Sequence, residues 1–198
     1  MGQISDCVNR LAASATFAMM QKSNELAAQG VNVVNMSVGE PDFNTPDYVK
    51  NAAKQAIDEN YSTYSPVPGY MSLRKACSDK LKRENNLDYA PTQIVVSTGA
   101  KQSLCNAIMA VVNPGDEVLL PSPCWVSYPE MVKLAGGVPV VIKAGIEQDF
   151  KVTAQQIADA ITPKTKAIMI CSPSNPTGSV YSKQELEEIA KVLIANPQ

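Results

Sequence analysis

From Gln93 onward the chain alternates short apolar runs with amphipathic segments, and this alternation restricts its fold more than any other feature. Residues 94–97, 117–120, 138–142 and 167–171 read as strands. Between them, residues 102–112, 128–134, 153–161 and a segment from Ser182 through Leu193 carry helical spacing. Two of these helices open on a capping box, Thr153-x-x-Gln156 and Ser182-x-x-Glu185. In that motif a hydroxyl and a carboxamide or carboxylate satisfy backbone N–H groups that a helix start leaves without partners. Strand and helix in turn predict an α/β domain: a mostly parallel sheet with flanking helices.

The first 93 residues read differently. A helix is expected over 4–29, with Leu11, Ala15, Ala18, Met19 and Leu26 as its apolar residues, broken near Ser14 and ended by Gly30. Residues 31–36 form a short strand-like run. Thr45-Pro46 then predicts a helix start, with Thr45 as N-cap and Pro46 at the first position, placing Val49, Ala53, Ala56 and Ile57 on one face. The turn-rich stretch Tyr64-Ser65-Pro66-Val67-Pro68-Gly69 precedes a further helix through Leu73, Ala76, Cys77 and Leu81. No internal repeat or low-complexity segment occurs.

Composition narrows the chemistry. The 198 residues are 45% hydrophobic with a net charge of −2, enough for one sizeable core and too neutral to hold a nucleic acid or an anionic membrane by bulk charge. No apolar run reaches membrane-spanning length, and the N-terminus lacks the pattern of a signal peptide. Five cysteines are scattered without paired spacing, which argues against a zinc site and for a reducing cytoplasm, with Cys105 and Cys171 expected as buried thiols. There is no histidine. That excludes Ser-His-Asp and Cys-His catalysis, so chemistry near neutral pH falls to lysine, carboxylate, tyrosine or a cofactor.

Five loops carry the residues suited to binding. Ser172-Pro173-Ser174-Asn175-Pro176-Thr177-Gly178 follows a strand and precedes a capped helix. Its prolines fix φ on both sides of Asn175, and Gly178 can close the turn at positive φ. Such a loop presents an amide where α/β sheets bind ligands, although a stiff turn between strand and helix meets the same pattern. Thr98-Gly99-Ala100-Lys101 offers small residues and N–H groups at a helix start, suited to a phosphate, and Lys101 in the first turn opposes the helix dipole unless it meets an anion. The spacing is neither that of a nucleotide P-loop nor that of a dinucleotide fingerprint. Trp125, the only tryptophan, could stack on a planar ring or fill the core. Tyr64 could donate to a phosphate or lie on the surface, and Gly39 could offer its N–H to a carboxylate or act as a plain turn glycine. Together they supply what a phosphorylated aromatic cofactor needs.

Five motifs in order, Val38-Gly39-Glu40-Pro41-Asp42-Phe43, the Tyr64 to Gly69 stretch, Thr98-Gly99-Ala100-Lys101-Gln102-Ser103, Trp125-Val126-Ser127-Tyr128-Pro129 and Ser174-Asn175-Pro176-Thr177-Gly178, resemble the class I aminotransferases of fold type I. The resemblance runs along the whole chain and is strongest to aspartate aminotransferases of subgroup Ib. It implies pyridoxal 5′-phosphate as cofactor and an amino acid and a 2-oxo acid as substrates, exchanged by a ping-pong mechanism in a cytoplasmic homodimer. It further implies that Asn175 bonds the cofactor's 3′-oxygen and touches the substrate carboxylate, that Trp125 stacks on the pyridine ring, and that Gly99 and Ala100 bind the phosphate. Tyr64 would reach the phosphate in the neighbouring subunit. Gly39 would contact the α-carboxylate, and Lys101 the side-chain carboxylate of aspartate or glutamate. Ala100 departs from the glycine of many relatives, a change that still permits close approach.

The resemblance also sets expectations about extent. Residues 1–45 correspond to an N-terminal arm and small-domain segment, and 46–198 to part of the cofactor-binding large domain, an incomplete aspartate aminotransferase-like sheet. The family's Asp-Glu-Ile-Tyr motif, Schiff-base lysine and substrate-clamping arginine have no counterpart here. The expectation is the N-terminal half of a longer enzyme, inactive alone and without a catalytic lysine of its own. Prephenate or aromatic-acid transamination is the alternative within the family, and a non-catalytic assembly fragment the alternative outside it.

Overall fold

A single strand organises the second half of the chain. In the computed structural model, which describes residues 4–37 and 39–198, the helices α1 (Asp6–Asn9), α2 (Ala15–Ala28), α3 (Asp47–Asp58), α4 (Met71–Asn85) and α5 (Gly99–Val111) precede strand β1 (Glu117–Ser122). There follow α6 (Ser127–Leu134), β2 (Val138–Lys143), α7 (Ala154–Ala160), β3 (Thr165–Ile168) and α8 (Lys183–Ala195). Val38, in the first of the five motifs, lies outside the described residues. The chain divides into two compact units, Met1–Ala18 with Leu104–Gln198, and Met19–Ser103.

In the first unit the sheet order is β2-β1-β3 and both pairings are parallel. Successive residues of β1 point to opposite faces, so Val118 and Leu120 enter one core and Leu119 the other. The first core gathers Ile108 and Val112 with Tyr128 and Val132 of α6 and Met169. The second gathers Ile142, Val152, Ile157 of α7, Tyr181 and Ile189 of α8. Val118, Leu119 and Leu120 are fully buried. A strand covered on both faces by helices is the layered α/β arrangement expected from the alternation.

Both capping boxes form. Thr153 Oγ1 accepts from the Gln156 N–H at 3.2 Å while the Gln156 carboxamide accepts from the Thr153 N–H at 2.9 Å. Ser182 and Glu185 exchange the same pair of bonds, at 3.2 and 2.6 Å. Glu185 also takes the Lys151 ammonium at 2.8 Å, on a lysine whose side chain is only 18% exposed. The first helical region breaks before Ala15 and ends at Gly30, where φ is +80° and the Val31 N–H returns to the Leu26 carbonyl.

Several expected boundaries shift. Residues 31–36 and 94–97 are not strands, because no described strand lies beside them to complete a ladder. Val34 and Met36 are exposed instead. In the second unit the 94–97 run is held by single bonds: the Val96 N–H donates to the Pro68 carbonyl, and buried Arg74 donates its Nε–H to the Ile94 carbonyl at 2.9 Å. Gly69, at φ +95°, lets Val96 pack within 3 Å of where a Cβ would stand. β3 starts at Thr165 and ends at Ile168, earlier at both ends than the apolar run suggested. α3 starts at Asp47 with Pro46, not Thr45, as its N-cap, and α5 starts three residues earlier than its apolar spacing implied. Cys105 and Cys171 are half-buried, not buried.

Two outcomes follow. Gly137→Ala would push a Cβ to 2.6 Å from Val112 Cγ1 and 3.0 Å from Val132 Cγ1, lowering stability by about 1–3 kcal/mol in urea unfolding. The Lys151 ammonium, then the Ser182 N–H and hydroxyl, hold the Glu185 carboxyl down at about 2 against 4.5. A depressed carboxylate stabilises the fold above its unfolded value and loses that contribution as pH falls toward its folded one. Unfolding midpoints of the parent and Glu185→Gln should therefore converge as pH drops from 4.5 to about 2. A constant gap across that range would contradict it.

Candidate functional site

Because β1 and β3 are parallel neighbours, the segments that leave them emerge at the same end of the sheet. After β1 come Pro123, Cys124 and Trp125, and after β3 comes the 172–178 loop. That loop is closed on itself: the Gly178 N–H donates to the Ser174 carbonyl and the Ser174 N–H to the Ser179 carbonyl, each at 2.9 Å. Ser172 Oγ accepts from the Tyr181 N–H at 3.1 Å. Gly178 takes φ +78°, as its place in the turn predicts. Asn175 sits exposed within this closed loop.

Trp125 stands between the two readings the sequence left open. It is half-buried against the first core, and its ring meets Tyr128 edge-on, with centroids 5.6 Å apart at 89°. Tyr128, whose part in this arrangement the sequence reading did not foresee, is the hub beneath. Trp125 and Tyr128 are three residues apart, and that spacing was the available signal. A narrow cavity below the two loops is lined by Cys124, Tyr128, Lys151, Cys171, Ser174 and Tyr181, among others. Burial, then the Cys171 thiol, push the Tyr128 phenol up to about 12. Burial likewise raises Cys124, and it raises Tyr181 although the Val152 N–H donates to its oxygen at 2.9 Å. Both phenols stay protonated at neutral pH.

In the other unit, Gly99 opens α5 at φ +78° with no atom within 4 Å of where its Cβ would be. Its backbone is thus open to a ligand in a way that a side chain would obstruct. Gly99 N–H donates to the Ser97 carbonyl, and the Thr98 N–H is taken by Gln102 Oε1. The N–H groups that follow belong to the first helical turn, which has no intrahelical acceptors for them. Ala100 and Lys101 lie exposed in that turn. Tyr64 and Gly39 lie exposed in loops of the same unit. Among the described residues no cluster of three metal-ligating side chains occurs, and no helix is long and apolar enough to cross a membrane.

A parallel α/β sheet with an indole and a proline-flanked carboxamide at its carboxyl edge defines a class of ligand-binding α/β proteins, and comparison with known proteins specifies which. Residues 31–196 match the family described as aminotransferase class I and II. The chain is 50% identical over 198 residues to an aspartate/prephenate aminotransferase of Cereibacter sphaeroides, covering all of this chain and 50% of that protein. It is 50% identical over 189 residues to an aspartate aminotransferase of a Bacillus species, covering 96% and 48%. The solved aspartate aminotransferase from Thermus thermophilus with maleate superposes with a TM-score of 0.94 at 44% identity, over 98% of this chain and 51% of that one. The chain belongs to the class I and II aminotransferases. These enzymes depend on pyridoxal 5′-phosphate. The chain spans about half the length of the relatives it matches.

If burial holds the Tyr128 phenol neutral, the folded protein and Tyr128→Phe will have the same tyrosinate absorbance up to about pH 11. A step near pH 10 present only in the parent would show an ordinary, solvated phenol.

Proposed function

We propose that the protein carrying these residues is an aspartate-type transaminase, exchanging an amino group between aspartate or glutamate and a 2-oxo acid. The observation that carries this reading is half-identity along the entire chain to aspartate and aspartate/prephenate aminotransferases. When bound, pyridoxal phosphate supplies an electron sink for charge developing at the substrate's α-carbon.

The residues present fit that cofactor: an open glycine at a helix start, an exposed carboxamide in a closed loop and a half-buried indole. Gly99 and Ala100 would hold the phosphate through backbone N–H groups, where the helix dipole favours an anion. Trp125 would stack on the ring and Asn175 would donate its amide to the 3′-oxygen. Tyr64 would donate its hydroxyl to the phosphate in the partner subunit of a homodimer. Gly39 would present its N–H to the substrate α-carboxylate. Lys101 would place its ammonium on the second carboxylate of a dicarboxylic substrate, a reading that also fits the maleate with which the Thermus enzyme was solved. These residues bind and orient, and none of them is assigned to move the α-proton. The arm over 1–45, the large-domain portion over 46–198 and a cytoplasmic setting belong to the same proposal.

A second reading, transamination of prephenate beside aspartate, is favoured by the name of the Cereibacter relative. Assay of the full-length protein with aspartate, glutamate and prephenate as amino donors or acceptors separates the two. No turnover with any dicarboxylic pair would overturn the proposal. Replacing the lysine gives a sharper result. Loss of a charged hydrogen bond of about 1.5–3 kcal/mol predicts that Lys101→Ala lowers kcat/KM for aspartate by roughly 10- to 100-fold. Activity with alanine should change little, and equal losses for both would remove Lys101 from substrate selection.

A further inference from the structure

Two of the five cysteines meet in one place. β1 and β3 are in register at Leu119 and Ile168, and the Met169 N–H continues the ladder to the Leu119 carbonyl. Beyond the paired residues both segments leave the same end of the sheet, Cys124 two residues after β1 and Cys171 three residues after β3. Met169 and Leu120 share the first core. Cys124 and Cys171 both pack against that core, and both line the narrow cavity that Tyr128 floors. The Tyr128 phenol senses both thiols. Cys171 donates its S–H to the Pro173 carbonyl at 3.2 Å, which holds it at the root of the Asn175 loop. The other three are engaged elsewhere: Cys7 pairs with Ser5 beside α1, Cys105 reaches Met109 along α5, and Cys77 lies on α4.

We propose that Cys124 and Cys171 form a redox-active dithiol that closes to a disulfide, tying the Trp125 segment to the Asn175 loop. The oxidant is a low-molecular-weight disulfide. One cysteine thiolate attacks a sulfur of the oxidant, forming a mixed disulfide and releasing one small thiol. The second cysteine's thiolate then attacks the protein sulfur of that mixed disulfide, forming the internal bond and releasing the second small thiol. Two protein thiols are oxidised and one small disulfide is reduced to two thiols. Only the thiolate attacks and burial raises the Cys124 thiol, so closure is slow at neutral pH and accelerates as the solution becomes alkaline. The tie joins the indole's segment to the carboxamide's, and it falls where both loops leave the sheet.

The test is mass spectrometry of the non-reduced, proteolysed protein after incubation with oxidised glutathione. The expected product is a linked peptide pair containing Cys124 and Cys171, lighter than the two reduced peptides by two hydrogen atoms and free of glutathione. In Cys171→Ser the reaction should stop at a glutathione adduct on Cys124, and in Cys124→Ser at an adduct on Cys171. Dithiothreitol should reverse all three, and Trp125 fluorescence should change on closure and recover on reduction in the parent alone. Stable glutathione adducts on both cysteines of the parent, links to Cys7, Cys77 or Cys105 instead, or two thiols that remain unmodified would each overturn the proposal.

Discussion

Everything described in the first compact unit depends on β1 being buried on both faces while paired in parallel on both edges. Three consecutive residues, Val118, Leu119 and Leu120, have no solvent exposure, and each fully buried side chain of this size is worth about 1.5–3 kcal/mol. Alternation sends their side chains into two separate cores, so one short strand fastens α6 to one face and α7 and α8 to the other. Parallel pairing on both edges adds a directional consequence. The chain must leave β1 and β3 at the same end, and a pair of loops with binding chemistry is thereby placed side by side.

The sequence made legible those features whose cause is local. A capping box is written in residues three apart, and both predicted boxes form with both bonds. Gly30 and Gly178 announce positive φ, and both adopt it. The runs over 31–36 and 94–97 form no strand because a strand is defined by its neighbour, which an apolar run does not encode. Val96 and Ile94 find single partners in Pro68 and Arg74 instead of a ladder. The same reason shortens β3 at its carboxyl end, where ladder pairing gives way to the loop that closes through Ser174 and Gly178.

The residues proposed for the site stand out in the sequence by type, but what supports them does not. Asn175 and Trp125 stand out by their prolines and their singularity, and the spacing of three hints at a contact between Trp125 and Tyr128 but does not reveal its edge-on geometry. Nor does anything local reveal that Cys124 and Cys171, 47 positions apart in the sequence, line one cavity. That convergence depends on register, since the segments after β1 and β3 leave the sheet side by side. Register here is fixed by Leu119 and Ile168, which share the second core.

Tyr128 shows how closely core and site are joined. It belongs to the buried cluster with Val118, Leu120 and Val132, and it also carries the edge contact to Trp125. Its ring is therefore fixed by packing before any ligand arrives, and the indole inherits that order at little further cost in side-chain entropy. The carboxamide side is fixed differently. Backbone bonds within the 172–178 loop and the Ser172 bond to Tyr181 set Asn175 without burying it. One half of the carboxyl edge is thus held by apolar packing and the other by a hydrogen-bonded loop. The two respond to different insults: a cavity in the first core loosens the indole, whereas loss of a loop hydrogen bond loosens the amide.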